Sequence, residues 1–133
     1  MEGLSKISNV ILTGVQLEKV KENYPLEKFL YRLPGHVSVC VKDIEGENLV
    51  LQLDLNNIAA SSGSACSSRD LINQISTFKP SHVLVALGIP NEYVRGSLRL
   101  TLGIENTEKD IDCIIDSVSS IVQRLYSKSL AVT

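Results

Sequence analysis

One thiol stands out by its surroundings. Ala59 to Ser68 reads AASSGSACSS, so that Cys66 lies among serine, glycine and alanine with nothing large beside it. Such a tract gives a cysteine little apolar cover and puts it on backbone of low stiffness. It is either a flexible linker with an incidental thiol, or a nucleophile on an arm that must reach a substrate and then a second protein. The other two cysteines look different: Cys40 lies in the valine-rich run HVSVCV and Cys113 beside the apolar stripe of the last helix, which predicts packing roles for both. A metal site built from Cys40, Cys66, Cys113, His36 and His82 is not supported, because no pair has ligand spacing. His82 opens a helix and offers no convincing general base. The tract around Gly63 is not a phosphate loop, since no Gly-Lys-Ser/Thr follows it.

Composition narrows the classes around this thiol. The 133 residues suffice for one domain of modest core, and 44% hydrophobic with 21% charged residues is an ordinary globular balance. A net charge of -2 provides no basic field, so nucleic acid is not the expected partner. No apolar run is long enough to span a bilayer, and the start Met1-Glu2-Gly3 does not open a signal peptide. Three cysteines, odd in number and far apart, fit a reducing cytoplasm better than a disulfide framework.

The elements that must position these residues follow from pattern. Leu4 to Leu12 reads as the end of a helix running into a short strand, Val10-Ile11-Leu12. Leu17, Val20 and Tyr24 have helical spacing up to Pro25. Valines at every second position make His36 to Val41 a half-buried strand. Gly46 to Leu55 is an apolar run whose acidic start favours helix. Ile58-Ala59-Ala60 reads as a short strand entering the cysteine loop. Ser81 caps a short helix through Leu87, ended by Gly88. Ser97 to Leu102 alternates as a strand. Thr107 and Asp110 form a near capping box ahead of a long stripe, Ile111, Ile114, Ile115, Val118, Ile121, Val122 and Leu125. The expected fold is α+β (or α/β), a small, mostly antiparallel sheet with helices packed on it.

The segments RLPGHVSV (32–39), EGENLVLQL (45–53), SSGSACSS (61–68), PSHVLVALG (80–88), GSLRLTLG (96–103) and NTEKDIDCII (106–115) follow one another in this order. In that order they resemble the C-terminal region of the NifS/IscS-type cysteine desulfurases, over roughly Arg32 to Ser127, and SSGSACSS resembles the branch with a long catalytic loop. The resemblance implies a pyridoxal-phosphate enzyme of which residues 1–133 form the small C-terminal domain alone. The large domain, with its cofactor lysine, ring-stacking residue and aspartate, is the missing part. None of the eight lysines sits in a recognisable cofactor motif, and Lys79 reads as a solvated loop residue.

By that resemblance, Cys66 is the thiolate that attacks the sulfur of cofactor-bound L-cysteine and becomes a persulfide as L-alanine leaves. Arg99 matches the arginine that grips the substrate carboxylate, for which a planar fork is suited. The plainer reading of Arg99 is a strand residue in a surface ion pair. The implied partners are L-cysteine, a sulfur acceptor or iron–sulfur scaffold protein, the cofactor-bearing large domain, and a second copy in a homodimer. The 133-residue chain alone is expected to bind no cofactor and to lack desulfurase activity.

Two stretches depart from the pattern. Thirteen residues separate Cys66 from Pro80, and RDLINQISTF (69–78) has Leu71, Ile72 and Ile75 at helical spacing behind Ser68. A helix there, with Arg69, would lower the thiol pKa; equally, it could stiffen the arm and spoil its reach. A charged stretch around Gln16 to Phe29 reads as a solvated surface element. The rival function is a stand-alone sulfur carrier or interaction module, or a truncated remnant, without the cofactor chemistry.

Overall fold

The computed structural model describes residues 2–14, 33–63 and 81–130. Their order is α1 (Glu2–Ser5), β1 (Val10–Leu12), β2 (His36–Val41), α2 (Gly46–Asp54), α3 (His82–Ala86), α4 (Asn91–Val94), β3 (Ser97–Thr101) and α5 (Glu108–Leu130). The three strands form one antiparallel sheet in the order β1-β2-β3. The expected α+β architecture is the one observed. The helix expected over Leu17 to Tyr24 and the helix behind Ser68 both lie outside the described residues.

Strand alternation decides what each sheet face carries. Val39 and Val41 of β2, Leu98 and Leu100 of β3 and Val10 of β1 enter one core together with Leu49 and Leu53 of α2 and Val118, Ile121 and Val122 of α5. The nine-residue run from Gly46 to Asp54 is therefore a helix, its acidic Glu47 in the first turn. Each aliphatic side chain removed from water here contributes roughly 1.5–3 kcal/mol. On the opposite face Cys40 packs with Leu84 of α3 and Val94 of α4, supported by Ile11, Ile89 and Tyr93. The sheet thus lies between α1, α2 and α5 on one side and the two short helices α3 and α4 on the other.

The start of α5 is fixed as the sequence suggests. The Thr107 amide donates to Asp110 Oδ2 at 2.7 Å, and the Asp110 amide lies 3.4 Å from Thr107 Oγ1, a reciprocal cap. The Thr107 backbone hydrogen bond, with that of its hydroxyl, holds the Asp110 carboxyl below its ordinary range. Farther along, Tyr126 donates to the carbonyl of Lys42, and Arg124 Nη2 donates to Gln52 Oε1 at 2.5 Å. These contacts tie α5 to the end of β2 and to α2. No helix among the described residues is long and apolar enough to cross a membrane.

Two expectations need correction. Cys113 is exposed, not packed. The stripe of α5 is centred on Ile114, Val118 and Ile121, and a step of one residue turns about 100° around the helix, carrying Cys113 to the solvent side. The strand expected at Ile58-Ala59-Ala60 reduces to a single bridge one residue later, between Ser61 and Arg99. Ile58 and Ala60 spend their side chains on the main core instead.

Candidate functional site

The side chain of Arg99 follows from the parity of β3. Leu98 is fully buried and Leu100 nearly so in the main core, so Ser97, Arg99 and Thr101 face the other way. In the register with β2, Arg99 stands opposite Ser38, between the Cys40–Ser97 and His36–Thr101 pairs. Toward Cys40 this face is closed by α3 and α4; toward Thr101 it is open. Arg99 occupies the boundary and is half-buried.

Its guanidinium is incompletely satisfied. Arg99 Nε is shielded from solvent and has no hydrogen-bond partner among the described residues. A buried donor left without an acceptor costs about 1–3 kcal/mol. An acceptor-only group such as a carboxylate would remove that cost, and a guanidinium can meet both of its oxygens at once. No ion pair involves Arg99 among the described residues; Lys42 Nζ pairs with Glu92 Oε1 at 3.2 Å, between the end of β2 and α4. The plain reading of Arg99 as a surface ion-pair residue finds no support among them.

The backbone of Arg99 holds the root of the cysteine loop. Its amide donates to the Ser61 carbonyl at 2.8 Å, and the Ser61 amide donates back at 3.1 Å. Two residues on, the Gly63 amide donates to Ser97 Oγ at 3.0 Å. Between these, Ser62 lies over Gly46, the first residue of α2. A Cβ at Gly46 would collide with Ser62 Oγ and with the Ser97 carbonyl oxygen. Gly63 has φ +62°, the left-handed region that a side chain makes costly and glycine does not. Three consecutive residues, Ser61, Ser62 and Gly63, are thus seated between β3 and the start of α2. Cys66 itself lies outside the described residues, as does Lys79.

The remaining thiols are free. Burial pushes the Cys40 thiol up to about 11, so at neutral pH it stays protonated and unreactive. Cys113 is exposed near the start of α5. His82 is exposed at the start of α3, and no cluster of three or more metal-ligating side chains occurs among the described residues. Ser97 and Gly46 were not legible as site residues in the sequence. The only signal for them was that each adjoins a motif segment, and their contacts with the loop root join positions far apart in the chain.

The family model described as Aminotransferase class-V matches residues 11–114. The chain belongs to that family. It is 41% identical over 125 residues to a protein of Clostridium botulinum named cysteine desulfurase IscS, covering 92% of this chain and 30% of the relative. It is 42% identical over 129 residues to the cysteine desulfurase IscS of Methanosarcina thermophila, covering 97% of this chain and 27% of the relative. Among solved structures, a NifS-like protein from Rickettsia africae matches with a TM-score of 0.60 and 25% identity, covering 92% of this chain and 26% of that one. The chain therefore spans less than a third of the length of these class-V relatives, and the match falls across the strands and helices that carry Arg99 and the loop root.

Proposed function

We propose that this chain is the sulfur-accepting, carboxylate-binding part of a cysteine desulfurase, the small C-terminal domain of a longer enzyme. The net reaction takes the thiol of Cys66 and L-cysteine to a Cys66 persulfide and L-alanine: one sulfur–sulfur bond forms, one carbon–sulfur bond breaks, and the carbon gains a proton. Arg99 binds the substrate carboxylate through its fork, and Cys66 supplies the soft nucleophile that attacks sulfur. The persulfide then passes its sulfur to an acceptor protein such as an iron–sulfur scaffold. The complete enzyme works as a homodimer in the cytoplasm.

The reading rests on one observation: the strand residue that carries the incompletely paired guanidinium also hydrogen-bonds, through its own backbone, the root of the loop that leads to Cys66. Only two residues, Ser64 and Ala65, separate Gly63 from Cys66, so their Cα atoms lie at most about 11 Å apart. The thiol is tethered within that distance of a root anchored beside Arg99.

Pyridoxal phosphate, which the complete enzyme uses as an electron sink, does not fit the described residues. A lysine that holds this cofactor covalently must give up its proton. Lys42 is pushed the other way, since the hydrogen bond to Glu92 raises its pKa. Lys109 and Lys128 stand exposed on α5, which covers the sheet face opposite Arg99, and Lys6 is exposed in the turn before β1. On this reading the cofactor is held by a part of the enzyme outside these residues, and the expected result for the isolated chain is no desulfurase activity.

The test compares a charged and a neutral alkylating reagent on the 133-residue chain. Iodoacetate carries a carboxylate and iodoacetamide does not, while exposed Cys113 serves as an internal reference. The iodoacetate-to-iodoacetamide rate ratio at Cys66, divided by that at Cys113, is expected to be about tenfold above unity, the equivalent of one charged hydrogen bond. Arg99→Met should return it to unity. Equal ratios at both cysteines in the wild type would sink the reading.

A further inference from the structure

The hydroxyl of Ser97 has no part in the reading above, yet it is buried, with 7% of the residue exposed, and it receives the Gly63 amide. Gly63 itself is exposed. The bond to Ser97 is the hydrogen bond that its amide makes among the described residues. The bond is the last described tie between the sheet and the loop before Cys66, three residues farther on. Its neighbours are arranged around it: Ser61 is paired to Arg99 by two backbone hydrogen bonds, and Gly46 lacks the Cβ that would push Ser62 and the Ser97 carbonyl apart.

We infer that Ser97 is a positioning residue for the Cys66 reaction: by holding the Gly63 amide it fixes where the arm leaves the sheet, two residues along β3 from Arg99 and on the same face. The inference deepens the desulfurase reading and rests on it. The chemical consequence is one of effective concentration. A thiol on an arm of fixed origin samples the space beside Arg99 more often than one whose root frays back to Ser61, because each residue released lengthens the tether. The Ser61–Arg99 pair alone would put the last tie five positions before Cys66, where the clamp puts it three. The alternation of β3 makes this economical, since Ser97 and Arg99 share one face and a single strand sets both the root of the nucleophile's arm and the binding group for the carboxylate.

Hydrogen exchange and the alkylation ratio test this together on the 133-residue chain. In the wild type the Gly63 amide should exchange at least about tenfold more slowly than in Ser97→Ala, the protection expected of one hydrogen bond. In Ser97→Ala the iodoacetate preference of Cys66 should fall by about threefold or more while Cys113 rates and the melting temperature stay put, and Ser97→Thr, which keeps the hydroxyl, should restore both readouts. A purely structural serine would move the melting temperature instead of the preference. A Gly63 amide that exchanges equally fast in wild type and Ser97→Ala overturns the clamp without reference to any activity. If Arg99→Met abolishes the preference while Ser97→Ala leaves it intact, the clamp falls and the desulfurase reading stands. If the wild type shows no preference at all, that reading falls and takes the role of Ser97 with it.

Discussion

Arg99→Met is expected to lower kcat/KM for L-cysteine in the complete enzyme by about 100-fold, with most of the change in KM. Removing one partner of a desolvated charge pair costs about 2–5 kcal/mol, and the half-buried setting of Arg99 puts it near the lower end, where about 2.8 kcal/mol is a factor of 100. Arg99→Lys keeps the charge but loses the fork, so it should recover only part of the loss. The same methionine variant should melt no lower than the wild type. It keeps a long apolar stem on β3 and deletes the Nε that has no partner among the described residues, and removing an unsatisfied buried donor is neutral or stabilising. Activity lost with stability retained is the signature of a binding group. Activity and stability falling together, or turnover of L-cysteine unchanged, would contradict the assignment of Arg99.

Gly96→Ala should do the opposite, unfolding the sheet without touching the chemistry directly. A Cβ at Gly96 would run into the carbonyl of Val41 and lie 2.8 Å from the carbonyl oxygen of Ile44. Both are backbone atoms, one at the end of β2 and one in the turn that follows it, and neither can swing aside. The Val41 amide also donates to the Gly96 carbonyl at 2.9 Å, so the two chains are already drawn together at this point. The expected loss is about 3 kcal/mol, which for a domain of this size lowers the melting temperature by about 12 °C. Gly103→Ala is the control. There a new Cβ meets only Asn106 Oδ1 at 3.6 Å, an ordinary contact, and melting should barely change. Similar melting temperatures for the two variants would mean that β2 and β3 do not approach as closely as described.

How much of this was legible in the sequence depends on how local each feature is. The valine alternation of HVSVCV set β2 at His36 to Val41, and the isoleucine stripe with its Thr107–Asp110 cap set α5, because one residue's neighbours two, three or four positions away decide both. The parity of SLRLT told that Arg99 must leave the face of Leu98 and Leu100. The sequence did not reveal that Arg99 would lie beside the loop root, since the Ser61 and Gly63 contacts bridge 38 and 34 positions along the chain. It also misjudged Cys113, where a shift of one residue on a helix separates core from solvent. The turn Asn91–Val94, too short to show a period, went unread. Cys66 and the stretch behind it, 69–78, were read from sequence alone, and the family match runs across them over residues 11–114.

On the proposed function, sulfur comes to rest on Cys66. The direct measurement is intact mass, with peptide mapping, after mixing the chain with cysteine persulfide, a sulfur donor that carries the carboxylate Arg99 should hold. Wild type is compared with Cys66→Ser, Cys40→Ser and Cys113→Ser. The expected result is gain of one sulfur, mapped to Cys66, that survives in the Cys40 and Cys113 variants and vanishes in Cys66→Ser. Sulfur found equally on Cys113, or undiminished in Cys66→Ser, would contradict it.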